Sequence, residues 1–219
     1  MEIIYEPKHM DSISALDTMY PTYATYYKKE ADDLGMEYAT TFGYVLTGKA
    51  IIYANRQLWQ VYGHNYFAFS GEFSIEEAHD LNMWTVTKLG YKGMPVMGKV
   101  EEKGRLSYID GCSDSILVPM PRRGDPVLNY LHFPQGINQT QHTHPSIRMG
   151  VVTEGSGEAF KQESWVKPLK KGCMFMLEEQ ELHSFRTTDD NMNIVAFHPD
   201  SDTGSTDEDH PMINRTYIR

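Results

Sequence analysis

The sequence predicts a mainly β protein: two β-barrels in tandem behind an N-terminal helical segment. Three observations carry this expectation. From position 35 onward, short apolar runs alternate with turn residues, the pattern of sandwiches and barrels. One stretch repeats: YVLTGKA (44–50) matches VVTEGSGEA (151–159) in an apolar strand, a polar residue and a turn glycine, Gly48 or Gly155. Before position 35 the texture differs, and residues 11–34 read as an amphipathic helix that Pro21 ends or kinks.

In chain order, strands are expected at 44–46, 50–53, 58–62 and 66–69. SIEEAHDL (74–81) reads as a short helix or turn, with Ser74 as N-cap and Glu77 completing a capping box. The Gly-rich, charged stretch 91–105 is a connecting loop with room for one strand. Strands resume at 116–118, 127–133, 148–153, 159–162, 174–177 and 193–197. The repeat extends through this series: Gly63 lies 15 residues beyond Gly48 and Gly172 lies 17 beyond Gly155, each followed by an apolar run, YFAF or MFML. The polar, acidic tail after His198 is expected to lie irregularly in solvent. The division that follows is a helical segment over 1–34, a first barrel over 35–110, a second over 111–200 and a tail over 201–219.

The 219 residues suffice for one large or two small domains, and the composition (40% hydrophobic, 23% charged) is that of a globular protein. A formal net charge of −10 argues against nucleic acid or an anionic membrane as partner, while a local basic pocket for a small anion stays open. The opening MEIIYEPKHMDS has no basic region followed by an apolar one, so no signal peptide is expected. No apolar run reaches the ~18 residues of a transmembrane helix. Cys112 and Cys173 show no CxxC spacing and suit a reducing cytoplasm.

The chemistry concentrates in Gly136-Ile-Asn-Gln-Thr-Gln-His142-Thr-His144, of the form G-x5-H-x-H. Side chains at i and i+2 of a strand share a face, so His142 and His144 aim two imidazoles at one point. Eleven residues after Gly172, following an apolar strand and the acidic EEQEL loop, stands His183. Three neutral imidazoles on a rigid scaffold suit Fe(II), Mn, Ni, Cu or Zn, with positions left open for water, O2 or substrate.

These motifs resemble those of the cupin superfamily. G-x5-H-x-H with Gly155 beyond it is similar to the first cupin motif, and Gly172-x10-His183 is similar to the second, usually G-x5-P-x-G-x2-H. The resemblance implies two double-stranded β-helix (jelly-roll) barrels, a bicupin, and a homodimer through barrel edges. Two departures stand out. Where the first motif carries a ligating glutamate, this chain has Arg148, which stays protonated and offers no lone pair. The second motif's proline and glycine are Glu178 and Gln180. A three-histidine site is therefore expected. Superposing the repeats places Gly35, Glu37, Thr41 and Ser74 where His142, His144, Arg148 and His183 stand, so the first barrel is expected to be metal-free.

Arg148 is expected to orient an anionic group through its bidentate fork, with pairing to Glu154 or Glu178 as the alternative. Gln139, Gln141 and Arg186 are candidate pocket residues. Tyr130, Phe133, Phe175, Phe185 and Phe197 are assigned to the core. His64 and His79 are read as surface or core histidines, and His132 and His198 as flanking the site rather than ligating. The resemblance to three-histidine cupins implies an Fe(II)-dependent dioxygenase acting on a small anionic organic molecule. The alternatives are Lewis-acid catalysis by Zn, Ni or Mn, with Glu154, Glu178 or Tyr130 as base, and a non-catalytic binding module.

Overall fold

A computed structural model of the chain describes residues 1–28, 33–162, 164–210, 212–213 and 216–218. Its strands are β1 (Glu2–Ile4), β2 (Ser12–Ala15), β3 (Thr22–Lys28), β4 (Asp33–Ala54) and β5 (Gln57–Tyr62). They continue as β6 (Asn65–Leu89), β7 (Val96–Lys99), β8 (Leu106–Ser107), β9 (Ser113–Val118) and β10 (Val127–Phe133). The last are β11 (Arg148–Lys161), β12 (Trp165–Lys170), β13 (Met174–Leu177), β14 (Ser184–Arg186) and β15 (Met192–His198). Ile109–Gly111 forms a short 3-10 turn between β8 and β9. None of the described helices is long and apolar enough to cross a membrane.

The expected N-terminal helix is absent. Residues 12–15 and 22–25 pair as an antiparallel hairpin around Pro21, and β3 continues along β6 from Thr22↔Lys88 to Lys28↔Asn82. TYATYYK is rich in β-branched and aromatic residues, which fit a pleated half-buried surface better than a helix. The end of the segment, 29–32, lies outside the described residues. The capping-box reading of 74–81 also fails: the stretch is part of β6, paired with β4 through Ser74↔Tyr53 and Ala78↔Ala50. Ile75 and Leu81 are buried there, and the ladder outweighs the local helix signal.

Strands β2 to β7 form one sheet, ordered β2-β3-β6-β4-β5 with β7 on β6. The second sheet runs β1-β13-β11-β15-β10-β9-β8, with β12 and β14 also on β11. Strand β1 therefore joins the far end of the chain, pairing with β13 through Ile3↔Phe175. The long β4 bends so that Tyr44 meets Tyr66 on one side and Trp84 on the other.

The repeat has a structural counterpart. Gly48 and Gly155 both hold left-handed backbone, at φ +81° and +67°. Five positions before each, Gly43 pairs with Phe67 and Gly150 with Phe175. In both pairs the ring lies over the glycine: an added Cβ would come within 2.1 Å of Phe67 and 2.5 Å of Phe175.

One buried cluster lies within the first sheet around Phe67, Phe69 and Met83, and one within the second around Phe133, Phe175 and Phe185. A third joins the two sheets, with Phe42 and Phe197 at 5.0 Å between ring centroids and Trp84 fully buried. Each such buried ring contributes roughly 1.5–3 kcal/mol by area.

Candidate metal centre

Residues 138–142 run antiparallel to 183–186, through the bridges Asn138↔Arg186 and His142↔His183 and the bond from Gln139 N to Phe185 O at 3.0 Å. This pairing fastens the G-x5-H-x-H stretch to the segment that carries the third histidine. The rings of His142, His144 and His183 then converge, with centroids 4.6–5.1 Å apart. One nitrogen from each lies within 4.8 Å of the others, and among the described residues these three form a group able to hold a metal ion.

Second contacts set which nitrogen is free. Nδ1 of His142 faces the Thr140 carbonyl at 2.9 Å, and Nδ1 of His183 faces the Glu181 carbonyl at 2.8 Å. A carbonyl only accepts, so each Nδ1 carries the proton and each Nε2 keeps its lone pair. Nε2 of His183 is buried with no hydrogen-bond partner, and the residue is 1% exposed. A buried nitrogen without a partner is costly, and a metal ion satisfies it. Burial holds His144 down to about 2, helped by the Arg148 charge, and holds His183 down to about 4. Both rings are therefore neutral at pH 7, as ligation requires. The donor set fits a divalent first-row ion.

The histidines open on a cavity of about 180 Å³. Its apolar wall is Leu131, Phe133, Phe175, Leu177, Phe185 and Ile194, so three of the aromatics assigned to the core also face the site. Its polar side is Tyr108, Asp114, Asn129, Gln139, Arg148 and His198. A groove at the mouth shares Asp114, Asn129, Arg148 and His198, and is bordered by Asp200, Ser201, Asp202 and Thr203. Part of the tail expected to be solvated thus frames the entrance.

Arg148 begins β11 and lines both spaces. Its Nη1 donates to the Ser146 carbonyl at 3.0 Å, the Ser146 hydroxyl at 2.7 Å and the Ile147 carbonyl at 2.9 Å. The Ser146 hydroxyl donates in turn to Asp200, whose other oxygen accepts from Tyr20 at 3.0 Å. Burial lowers the guanidinium to about 10, against the pull of Asp200, so it keeps its charge at neutral pH. Neither Glu154 nor Glu178 pairs with Arg148 among the described residues.

Glu154 is not brought to the site. It accepts from Asn193 Nδ2 at 3.1 Å and lies 3.8 Å from His64 Nδ1, where the sheets meet. Six positions along β11 from Arg148 is roughly 20 Å of strand, and a register shift between Val152 and Glu154 turns the side chain away. Tyr130 packs in the cluster between the sheets. His64 bonds Tyr44 at 3.0 Å, and His132 bonds Asn193 at 2.6 Å. Gln139 lines the cavity, whereas Arg186 pairs with Glu158 at 2.6 Å, outside it.

Sequence reasoning missed Asp114, Asn129 and Tyr108. Asn129 Nδ2 donates to Asp114 at 3.0 Å, and His198 Nε2 lies 3.2 Å from Asn129 Oδ1. Burial raises the Asp114 carboxyl and strongly lowers His198. A signal existed: aspartate and asparagine are disfavoured inside strands, and each stands within one.

No family model matches the chain, and no curated protein matches it. Solved structures do. A cupin 2 conserved barrel domain protein from Leptotrichia buccalis superposes with a TM-score of 0.63 at 16% identity, over 90% of this chain and 95% of the other. The putative glyoxylate-induced protein from Pseudomonas aeruginosa gives 0.68 at 14% identity, over 89% and 81%. Salicylate 1,2-dioxygenase from Pseudaminobacter salicylatoxidans gives 0.63 at 10% identity, over 81% and 70%. At these identities the likeness is one of fold: the similar structures are cupin-domain proteins, and the His142, His144 and His183 group is this chain's own.

Proposed function

We propose that this chain is a metal-dependent bicupin enzyme, an Fe(II) dioxygenase acting on a small anionic organic molecule. The observation that carries the reading is the partnerless, buried Nε2 of His183, converging with His142 and His144 at a cavity that Arg148 also lines. The recurrence of Gly43–Phe67 as Gly150–Phe175 supports a duplicated barrel. When bound, a redox-active divalent ion supplies the activation of substrate and O2. His142, His144 and His183 hold it, and three neutral ligands leave its charge uncompensated for an anionic substrate. Arg148 orients the anionic group through the guanidinium edge that Ser146 and Ile147 leave open. The wall of Phe133, Phe175 and Phe185 excludes bulk water from the reacting end. The occurrence of salicylate 1,2-dioxygenase among the similar structures supports this reading over a Lewis-acid enzyme.

The test is elemental analysis of protein purified without chelators, followed by oxygen uptake with small organic acids. About one iron per chain and substrate-dependent O2 consumption are expected. Zinc or nickel with no O2 uptake would replace the dioxygenase reading with Lewis-acid catalysis.

A further inference from the structure

The cavity holds two opposite charges that do not neutralise each other. Arg148 and Asp114 both line it and both border the groove at its mouth. Among the described residues, no cationic nitrogen lies within 4.0 Å of the Asp114 carboxylate. Its side-chain partner is the neutral amide of Asn129. Tyr108 lines the same cavity as both charges. A partly buried carboxylate with no cation is an unfavourable arrangement unless something supplies the charge.

A second group makes the same demand independently. Gln139 is 3% exposed, and its Nε2 donates to Cys112 Sγ at 3.4 Å. Its Oε1 is buried without a partner, in a residue that lines the cavity beside His142. That oxygen can only accept, so whatever fills the space beside it must donate. The cavity lining thus includes a donor fork in Arg148, a carboxylate in Asp114 and an orphaned acceptor in Gln139.

We propose that the ligand of this cavity is a small zwitterion, an organic acid that also carries an ammonium group. The acid faces Arg148, and the ammonium faces Asp114 and Gln139. This rests on the function proposed above and narrows its substrate class from anionic molecules to amino-acid-like ones. The phenylalanine wall adds a preference for an apolar remainder. Asp114 and Gln139 are then the residues that distinguish an amino acid from the plain acid of the same shape.

Two matched pairs test this: alanine against propanoate, and leucine against 4-methylpentanoate. Each is titrated calorimetrically into the metal-loaded full chain, with metal content measured on the same samples. The wild type is expected to bind each amino acid at least about tenfold more tightly than its partner acid, the range of one charge-assisted hydrogen bond. The isosteric Asp114→Asn is expected to bring the ratio close to one, with metal content unchanged. Gln139→Met is expected to reduce the ratio in part. A wild type that holds metal yet binds the plain acids equally well would overturn the inference alone. So would a preference that survives Asp114→Asn, since the amine would then be read elsewhere. A wild type that takes up no metal would overturn the proposed function, and this inference with it.

Discussion

His142 and His183 are joined through their backbones, the amide of each donating to the carbonyl of the other at 2.9 and 3.0 Å. The bridge makes two distant stretches of sequence into one ligand platform, although His144 lies outside any strand. Replacing the ring therefore leaves the bridge intact. His183→Ala and His142→Ala are each expected to lose metal, from about one ion per chain to well below half, while keeping a cooperative thermal transition. Elemental analysis with a melting curve checks both. An unchanged metal content in His183→Ala would remove this residue from the ligand set.

The same burial that keeps the histidines neutral makes the apo protein acid-sensitive. His183 is lowered to about 4 and His144 to about 2, below the ordinary value near 6.5 that the unfolded chain regains. Between those limits the unfolded state binds more protons than the native one, so stability rises with pH and is lost as pH falls. Urea denaturation of metal-free protein is expected to show a midpoint that is flat above about pH 7 and declines from there toward pH 4. In His183→Gln the decline is expected to be shallower, because one of the depressed groups is gone.

How much of this was legible in the sequence varies by residue. The three histidines were, because motif spacing is local; the strand expected to carry His142 and His144 is reduced to an isolated bridge at His142. The inward turn of Arg148 was posed but left open by the sequence, since its partners, Ser146 and through it Asp200 and Tyr20, come from three separate places. Glu154 was misplaced because a bulge changes a strand's facing, and bulges leave little trace in composition. Residues 11–28 and 74–81 misled in the same way: local helix signals compete with a ladder whose partner strand is far off in sequence. Asp114 and Gln139 became meaningful only when strands β9 and β10 and the 138–142 stretch were seen to face one cavity.

The chain from Tyr20 through Asp200 and Ser146 to Arg148 implies that positioning residues outside the cavity tune anion binding. Asp200→Asn weakens the acceptor that anchors Ser146 and, through it, the placement of the Arg148 fork. Propanoate affinity for the metal-loaded protein is expected to fall about three- to tenfold, the scale of one hydrogen bond of roughly 1 kcal/mol, with metal content unchanged. Tyr20→Phe is expected to do the same more weakly. Calorimetric titration with parallel metal analysis separates this from damage to the ligand platform, which would lower both quantities.

The turn glycine of the repeat gives a stability prediction with an internal control. Gly155 and Gly172 both have positive φ, +67° and +89°. A Cβ on Gly155 would lie 1.8 Å from the Asn191 carbonyl oxygen, whereas one on Gly172 meets nothing within 4 Å. Gly172→Ala therefore bears only the left-handed backbone penalty, about 1–2 kcal/mol. Gly155→Ala bears that and a backbone collision where β11 pairs with the start of β15. It is expected to be the more destabilising of the two by at least about 1 kcal/mol. Urea denaturation should show both midpoints lowered with the slope preserved, and Gly155→Ala lower than Gly172→Ala. Equal midpoints would mean that the Asn191 carbonyl moves aside at no cost, and that this close cross-strand approach is not what holds this part of the second sheet.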